Sequence, residues 1–179
     1  MSMLIQKYQG SWKDDFEQIK KVIDENLPNI TFEIEHVGST AVKNLAAKPI
    51  IDIDLIYDQP SAFQEIKKGL EKLGYFHNGD QGIAGREVFK RMELKEQHLI
   101  LDTIKQHLYA CQANSEELHR HLTFRDYLRT HEEESKAYEA LKYRIAKIAK
   151  QNKKEYAKLK EAMAREFIES VIEKARSGL

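Results

Sequence analysis

The side chains best suited to chemistry lie in two neighbouring stretches, His36-Val-Gly-Ser-Thr40 and Lys48-Pro-Ile-Ile-Asp-Ile-Asp54. Asp52 and Asp54 are two residues apart. In a strand that spacing puts both carboxylates on one face, roughly 6.5–7 Å apart along the backbone. At about 6 Å and an effective dielectric of about 20, keeping both ionised costs about 3 kcal/mol. A cation, a basic side chain, a proton or exposure to water offsets that repulsion. Mg²⁺ suits the pair, because it takes hard oxygen ligands and can complete its octahedron with nucleotide phosphates. In phosphoryl transfer such a pair positions one or two ions that neutralise the attacked phosphate. Gly38 permits a tight turn and close approach of a ligand. Ser39, with Thr40 behind it, stands where the free N–H groups of a helix start can receive phosphate.

Further candidates surround this centre. His36 could contact phosphate or carry a proton, and equally could be a hydrogen-bonded structural histidine. Lys48 could meet a phosphate or pair with Asp52 or Asp54. Arg86 follows a glycine-bearing loop and opens a strand, a place from which it could reach a triphosphate. Arg125, Arg129, Lys142 and Lys160 come from the C-terminal half and could close the site from above; Arg125 ranks first because a guanidinium fork suits phosphate oxygens. Cys111 ends an apolar strand and reads as a core thiol. The Tyr8, Trp12, Phe16 spacing reads as packing of the first helix. An isolated Asp-x-Asp or Gly-Ser is common. The order strand, Gly-Ser, helix, strand, Asp-x-Asp is what gives the motif weight.

The elements that must position these residues are legible in the pattern. Trp12, Phe16, Ile19, Ile23 and Leu27 mark one face of an amphipathic helix ended by Pro28. Residues 30–37 alternate as a half-buried strand, Ala41 to Ala47 suits a short helix, and residues 50–57 suit a second strand. Pro60, with Ser61 and Gln64 as a capping box, opens a helix that Gly74 stops. Residues 75–85 read as loop. Residues 87–93, 97–103 and 106–111 read as short strands paired as hairpins. Beyond Ser115 the chain is helical, with apolar spacings through Leu128, Ala137 to Ile148 and Tyr156 to Val171. The expected fold is α+β, a mixed β-sheet flanked by helices with a helical C-terminal layer. One domain is expected over 1–179, with a sheet-containing core over 1–113 and a helical part over 114–179.

The Gly-Ser pair followed a dozen residues later by Asp-Ile-Asp resembles the signature of the polymerase-beta-type nucleotidyltransferase superfamily. The wider text, His36-Val-Gly-Ser-Thr-Ala-Val42 and Leu45-Ala-Ala-Lys-Pro-Ile-Ile-Asp52, resembles the GrpB family. So do Tyr8, Trp12 and Phe16, then Phe124-Arg-Asp-Tyr-Leu-Arg129 with His131, and Tyr138 with Lys142 and Tyr156 with Lys160. The resemblance implies a nucleotidyltransferase-like sheet on which Gly38 and Ser39 hold nucleotide phosphates and Asp52 and Asp54 bind Mg²⁺. It implies a nucleoside triphosphate, with ATP the first candidate, and an acceptor that is a small molecule or a protein. The superfamily supplies a third carboxylate from a later strand, and Asp102 is its best positional counterpart, with Glu87 and Glu93 behind it. His107 matches the family's histidine-bearing strand. Lys43-Asn44 stands where many relatives have Pro-Gly.

Bulk properties bound the alternatives. With 179 residues, 41% hydrophobic and 32% charged, the chain can bury a core. The formal net charge is zero, so composition carries no general attraction to nucleic acid or an anionic membrane. One cysteine excludes an internal disulfide. Neither a membrane-length apolar run nor a signal-peptide core is visible, and a reducing cytoplasm is the expected compartment. Three function classes remain: a Mg²⁺-dependent nucleotidyltransferase, a nucleotide-binding or regulatory module acting through a partner, and an interaction helper built on the helical half. Oligomeric state is not written in the sequence.

Overall fold

The computed structural model of the chain describes residues 3–92 and 98–178. Helix α1 (Ser11–Asn26) is followed by strand β1 (Glu33–Val37), a 3-10 turn (Ser39–Ala41) and strand β2 (Ile51–Tyr57). Next come α2 (Pro60–Lys72), β3 (Tyr75–His77), β4 (Arg86–Arg91), α3 (Leu99–Thr103) and β5 (Gln106–Gln112). Three helices close the chain: α4 (Glu116–Thr130), α5 (Glu132–Ile148) and α6 (Lys153–Ser177). The five strands form one mixed sheet in the order β1-β2-β5-β4-β3, in which only β2 and β5 run parallel.

Strand alternation divides the sheet into two unlike faces. Ile51, Ile53, Leu55 and Tyr57 of β2 join Leu108 and Ala110 of β5 on one side, where Phe16, Ile19 and Ile23 of α1 and Ile66 and Leu70 of α2 complete a core. The intervening residues, Asp52 and Asp54 with His107 and Tyr109, face the other way. A second core, including Leu45, Leu128, Tyr138, Ile145, Tyr156 and Val171, holds α4, α5 and α6 together. The loop before β2 is joined to this layer: Glu139 accepts from the Ala46 N–H at 2.7 Å, and the Lys142 ammonium donates to the Ala46 carbonyl. Local caps set the helix starts. Ser115 accepts from the Leu118 N–H, and Asn152 accepts from the N–H groups of Lys154 and Glu155. No helix among the described residues is long and apolar enough to cross a membrane.

Four expectations are corrected. The helix expected over Ala41 to Ala47 is only the 3-10 turn, because Val42 is extended at φ −104 and ψ 116 and Asn44 then adopts φ 64, from which a right-handed helix cannot restart. Residues 99–103 form helix α3 in place of a strand. Asp102 accepts from the His98 N–H at 2.5 Å and His98 Nδ1 from the Leu101 N–H at 3.4 Å, and this local capping overrides the apolar alternation. Part of the expected loop is β3, paired antiparallel with β4. Helix α2 starts on Pro60 with no side-chain cap, so proline at the first turn replaces the expected capping box. Residues 93–97, which include the candidate Glu93, lie outside the described residues.

Candidate functional site

The two aspartates sit on β2 as their spacing requires, but in different environments. Asp52 is partly open, its side chain 29% exposed, and its Oδ1 lies 2.8 Å from His107 Nδ1. Asp54 is fully buried. Its Oδ2 lies 2.8 Å from His121 Nδ1, while its Oδ1 has no hydrogen-bond partner among the described residues. An unpartnered buried acceptor costs about 1–3 kcal/mol. Burial, and next the charge of Asp54, push the pKa of the neighbouring Cys111 thiol up; the residue is a buried, protonated core thiol.

Gly38 brings the turn against Asp52. Its backbone has φ 71 and ψ −170, and a Cβ placed on it would lie 2.3 Å from Asp52 Oδ2. Only glycine allows both that conformation and that approach. Behind the turn, the Thr40 hydroxyl lies 3.4 Å from the Ile50 carbonyl and 2.9 Å from His36 Nε2. The ring of His36 stacks on Phe16 at 4.7 Å. Burial lowers the His36 pKa to about 4, with Asp52 only partly opposing it, so the ring is neutral. His36 and Thr40 therefore pin the turn from inside.

The helical layer closes a cleft of about 450 Å³ over this face, lined by Gly38, Ser39, Asp52, His107 and residues from all three C-terminal helices. Lys48, Lys142 and Lys160 line it together with Tyr138 and Tyr156. The Lys48 ammonium lies 4.1 Å from the Tyr156 ring centroid, and that of Lys142 lies 4.8 Å from the Tyr138 ring. Burial, with help from Lys160, lowers the Lys142 pKa to about 7. The cleft thus places three lysine side chains opposite the aspartate strand.

His121 of α4 is the member that sequence reasoning missed. Its Nδ1 faces Asp54 and its Nε2 lies 3.3 Å from Glu117 Oε1. Burial opposes its charge, but hydrogen bonds to Asp54 and Glu117 outweigh that and raise its pKa to about 9. The only trace in the sequence is Glu117 four residues earlier, a spacing that puts the two on one helix face. A rise of this size corresponds to about 3 kcal/mol of stability. That contribution is full below pH 6.5 and lost as pH rises through 9. Lys142 works in the opposite sense, its stability being lost as pH falls from 10.5 through 7. Because the windows overlap, the expectation is residue-resolved. In NMR, the His121 ring titrates near pH 9 in the wild type and returns toward 6.5 in Asp54→Asn; a wild-type midpoint at the ordinary value would contradict the pairing.

The remaining candidates fall elsewhere. Arg125 is buried and reaches Glu35, the His36 carbonyl and Asp126, while Arg129 donates to the Ala41 carbonyl; these arginines clamp β1 and the turn onto α4 and do not line the cleft. Asp102 is bonded to Arg91 and to the His98 N–H, away from the cleft lining. Glu87 bonds His77 at 2.5 Å on the opposite sheet face. Arg86 lines a neighbouring groove. In the register of β5 against β2, His107 stands opposite Asp52 and Tyr109 opposite Asp54, so no carboxylate of β5 adjoins the pair. Among the described residues no three His, Cys, Asp or Glu side chains converge as a metal cage. Asp52 at the cleft, with Asp54 buried beside it on the same strand face, fits a Mg²⁺ that uses one or two carboxylates and takes its other ligands from phosphate and water.

Comparison with known proteins identifies the family and the fold. The crystal structure of conserved protein GrpB from Enterococcus faecalis superposes with a TM-score of 0.77 at 29% identity, covering 95% of this chain and 98% of that one. Cid1 poly(U) polymerase bound to MgGTP has a TM-score of 0.55 at 17% identity over 80% of this chain and 44% of that one, which shows a shared nucleotidyltransferase fold. The glutamate-rich protein GrpB of Alkalihalophilus pseudofirmus is 27% identical over 172 residues, covering 95% of this chain and 94% of its own. UPF0157 protein YqkA of Bacillus subtilis is 32% identical over 139 residues; the match covers 78% of this chain and 38% of that protein's length. The sequence profile described as GrpB protein matches residues 2–173, and with the Gly38 turn seated on the aspartate strand the chain belongs to the GrpB family.

Proposed function

We propose that the cleft binds a nucleoside triphosphate, with ATP the first candidate, and transfers its nucleotidyl group to a hydroxyl acceptor. The observation that carries this reading is the seating of the Gly38 turn on Asp52, with Asp54 on the same strand face and lysines across the cleft. The fold shared with Cid1 poly(U) polymerase, a protein whose structures hold MgGTP and MgATP, supports it. The backbone at Gly38 and Ser39 and the side chains of Lys48, Lys142 and Lys160 bind and orient the phosphates. Asp52 and Asp54 are the residues that would hold Mg²⁺, which when bound supplies charge neutralisation at the transferred phosphate. Asp52, the more open of the two and hydrogen-bonded to His107, takes the acceptor's proton.

Calorimetry with ATP, with and without Mg²⁺, tests the reading. Asp52→Asn is expected to weaken Mg²⁺-dependent ATP binding by at least about tenfold, or about 1.4 kcal/mol, with the fold intact. Wild type that binds no ATP, or a variant that binds it as well as wild type, would sink the proposal. The pairing of His107 and Tyr109 with the aspartates favours a second reading, a nucleotide-binding module without transfer that acts through a protein partner. In that case ATP binds, but its labelled α-phosphate never appears in a product.

A further inference from the structure

We propose that the open groove beside the cleft, over β4 and the start of β5, binds the acceptor, and that the acceptor is a phosphorylated small molecule with a free hydroxyl, of sugar-phosphate size. This rests on the nucleotidyl-transfer reading and adds the chemistry of the second substrate. The groove has a volume of about 920 Å³ and shares His107 and Tyr109 with the nucleotide cleft, so the two spaces meet at the residues that flank Asp52 and Asp54. The site face of the sheet continues into it. Val88 stands opposite Tyr109 and Arg86 opposite Cys111, and alternation brings Lys90 to the same side.

Three features select an anionic ligand. Among the described residues, the charged side chains lining the groove are Arg86, Lys90, Arg91 and Lys105 together with the carboxylate of Asp102, which is bonded to Arg91. In a chain of zero formal net charge this excess is local. Next, the Arg86 guanidinium lies over the Tyr109 ring at 4.9 Å and reaches Glu117 only at 3.5 Å, and its buried Nε has no hydrogen-bond partner among the described residues. An arginine fork only partly used by the protein is suited to phosphate oxygens. Finally, the Lys105 carbonyl accepts from the Ile51 N–H at 2.9 Å, which fixes the backbone of this exposed lysine beside the first residues of the aspartate strand. A phosphate held by the groove cations leaves the rest of a small acceptor to extend past His107 toward Asp52. The volume lies in the range of small-molecule sites, about 300–1,000 Å³.

In the reaction the acceptor hydroxyl oxygen forms a bond to the α-phosphorus of ATP. The bond from that phosphorus to the bridging oxygen of the β-phosphate breaks, pyrophosphate leaves, and the hydroxyl proton passes to the Asp52 carboxylate.

The test is an amide NMR titration of the full chain with ribose 5-phosphate and, separately, ribose, together with calorimetry of ATP. Ribose 5-phosphate is expected to shift the amides of β4 and of His107 saturably at millimolar concentration, and ribose is not. Lys90→Gln combined with Lys105→Gln, both at exposed positions, is expected to weaken ribose 5-phosphate at least about tenfold and leave ATP affinity unchanged. Arg86→Lys, which keeps the charge and removes the fork, is expected to weaken it less. Absence of groove shifts, equal binding of ribose, insensitivity to the double substitution, or shifts centred on Gly38 and Ser39 that ATP competes away would each overturn the proposal. Groove binding of ribose 5-phosphate by a protein that fails to bind ATP would instead leave the anion groove standing and remove the nucleotidyl-transfer reading beneath it.

Discussion

Asp54→Ala is expected to destabilise the protein by about 3–5 kcal/mol, the usual cost of removing one partner from a buried ion pair. The carboxylate is fully buried and faces His121 Nδ1 at 2.8 Å. With its pKa raised to about 9, His121 is an imidazolium at neutral pH, and without Asp54 it keeps only Glu117 at 3.3 Å. Asp54→Asn separates charge from shape. The carboxamide oxygen can still accept the Nδ1–H, so the loss should be smaller, about 1–3 kcal/mol. Urea unfolding of both variants at neutral pH measures the difference. An alanine variant within experimental error of wild type would mean that Asp54 and His121 do not pair in solution. The asparagine variant, folded at room temperature, then reports whether the Asp54 charge is also needed for Mg²⁺-dependent ATP binding.

Gly38→Ala should produce the largest loss of nucleotide binding from the smallest change in side chain. Two costs coincide at this position. The backbone conformation, φ 71 with ψ −170, is in a region that side chains avoid, at about 1–3 kcal/mol. The added methyl would also lie 2.3 Å from Asp52 Oδ2 and 3.0 Å from its Cγ. Relief requires Asp52 to rotate, which breaks its contact with His107, or the turn to lift, which moves the backbone N–H groups proposed to bind phosphate. Stability should fall by at least about 2 kcal/mol, and ATP affinity by at least about tenfold. Gly79→Ala is the control, because Gly79 has the same φ of 71 and a methyl there would meet nothing within 4 Å. It should lose about 1–2 kcal/mol from the left-handed backbone with no change in ATP binding. Equal effects of the two substitutions on binding would show that the approach of Gly38 to Asp52 has no functional weight.

What was legible in the sequence was local. The two-residue spacing of Asp52 and Asp54 sufficed to put them on one strand face, and Gly38 marked the turn, because strand alternation and glycine's conformational freedom act over a few residues. Apolar periodicity located α1 and the three C-terminal helices for the same reason. Where two local signals competed, the reading failed: apolar alternation over 99–103 pointed to a strand, and side-chain capping by His98 and Asp102 made a helix.

The site as a whole was decided by tertiary structure. His107 and His121 meet the aspartates across 55 and 67 residues of chain, and no local pattern carries those pairings. The parallel register of β5 on β2 is set by burial of Leu108 and Ala110 against the α1 and α2 core, and it follows that His107 and Tyr109, not carboxylates, adjoin Asp52 and Asp54. The same logic separated the basic residues of the helical half. Arg125 and Lys142 are alike as charges in a sequence, but the packing of α4 on β1 uses Arg125 as a clamp, while the packing of α5 on the Ala46 loop brings Lys142 into the cleft. The sequence by itself determined the motif and the elements that carry it, because those depend on torsion preferences and short-range periodicity. Which distant side chains complete the site was decided only when the two cores formed, because burial of apolar faces fixes the relative placement of elements that share no local interaction.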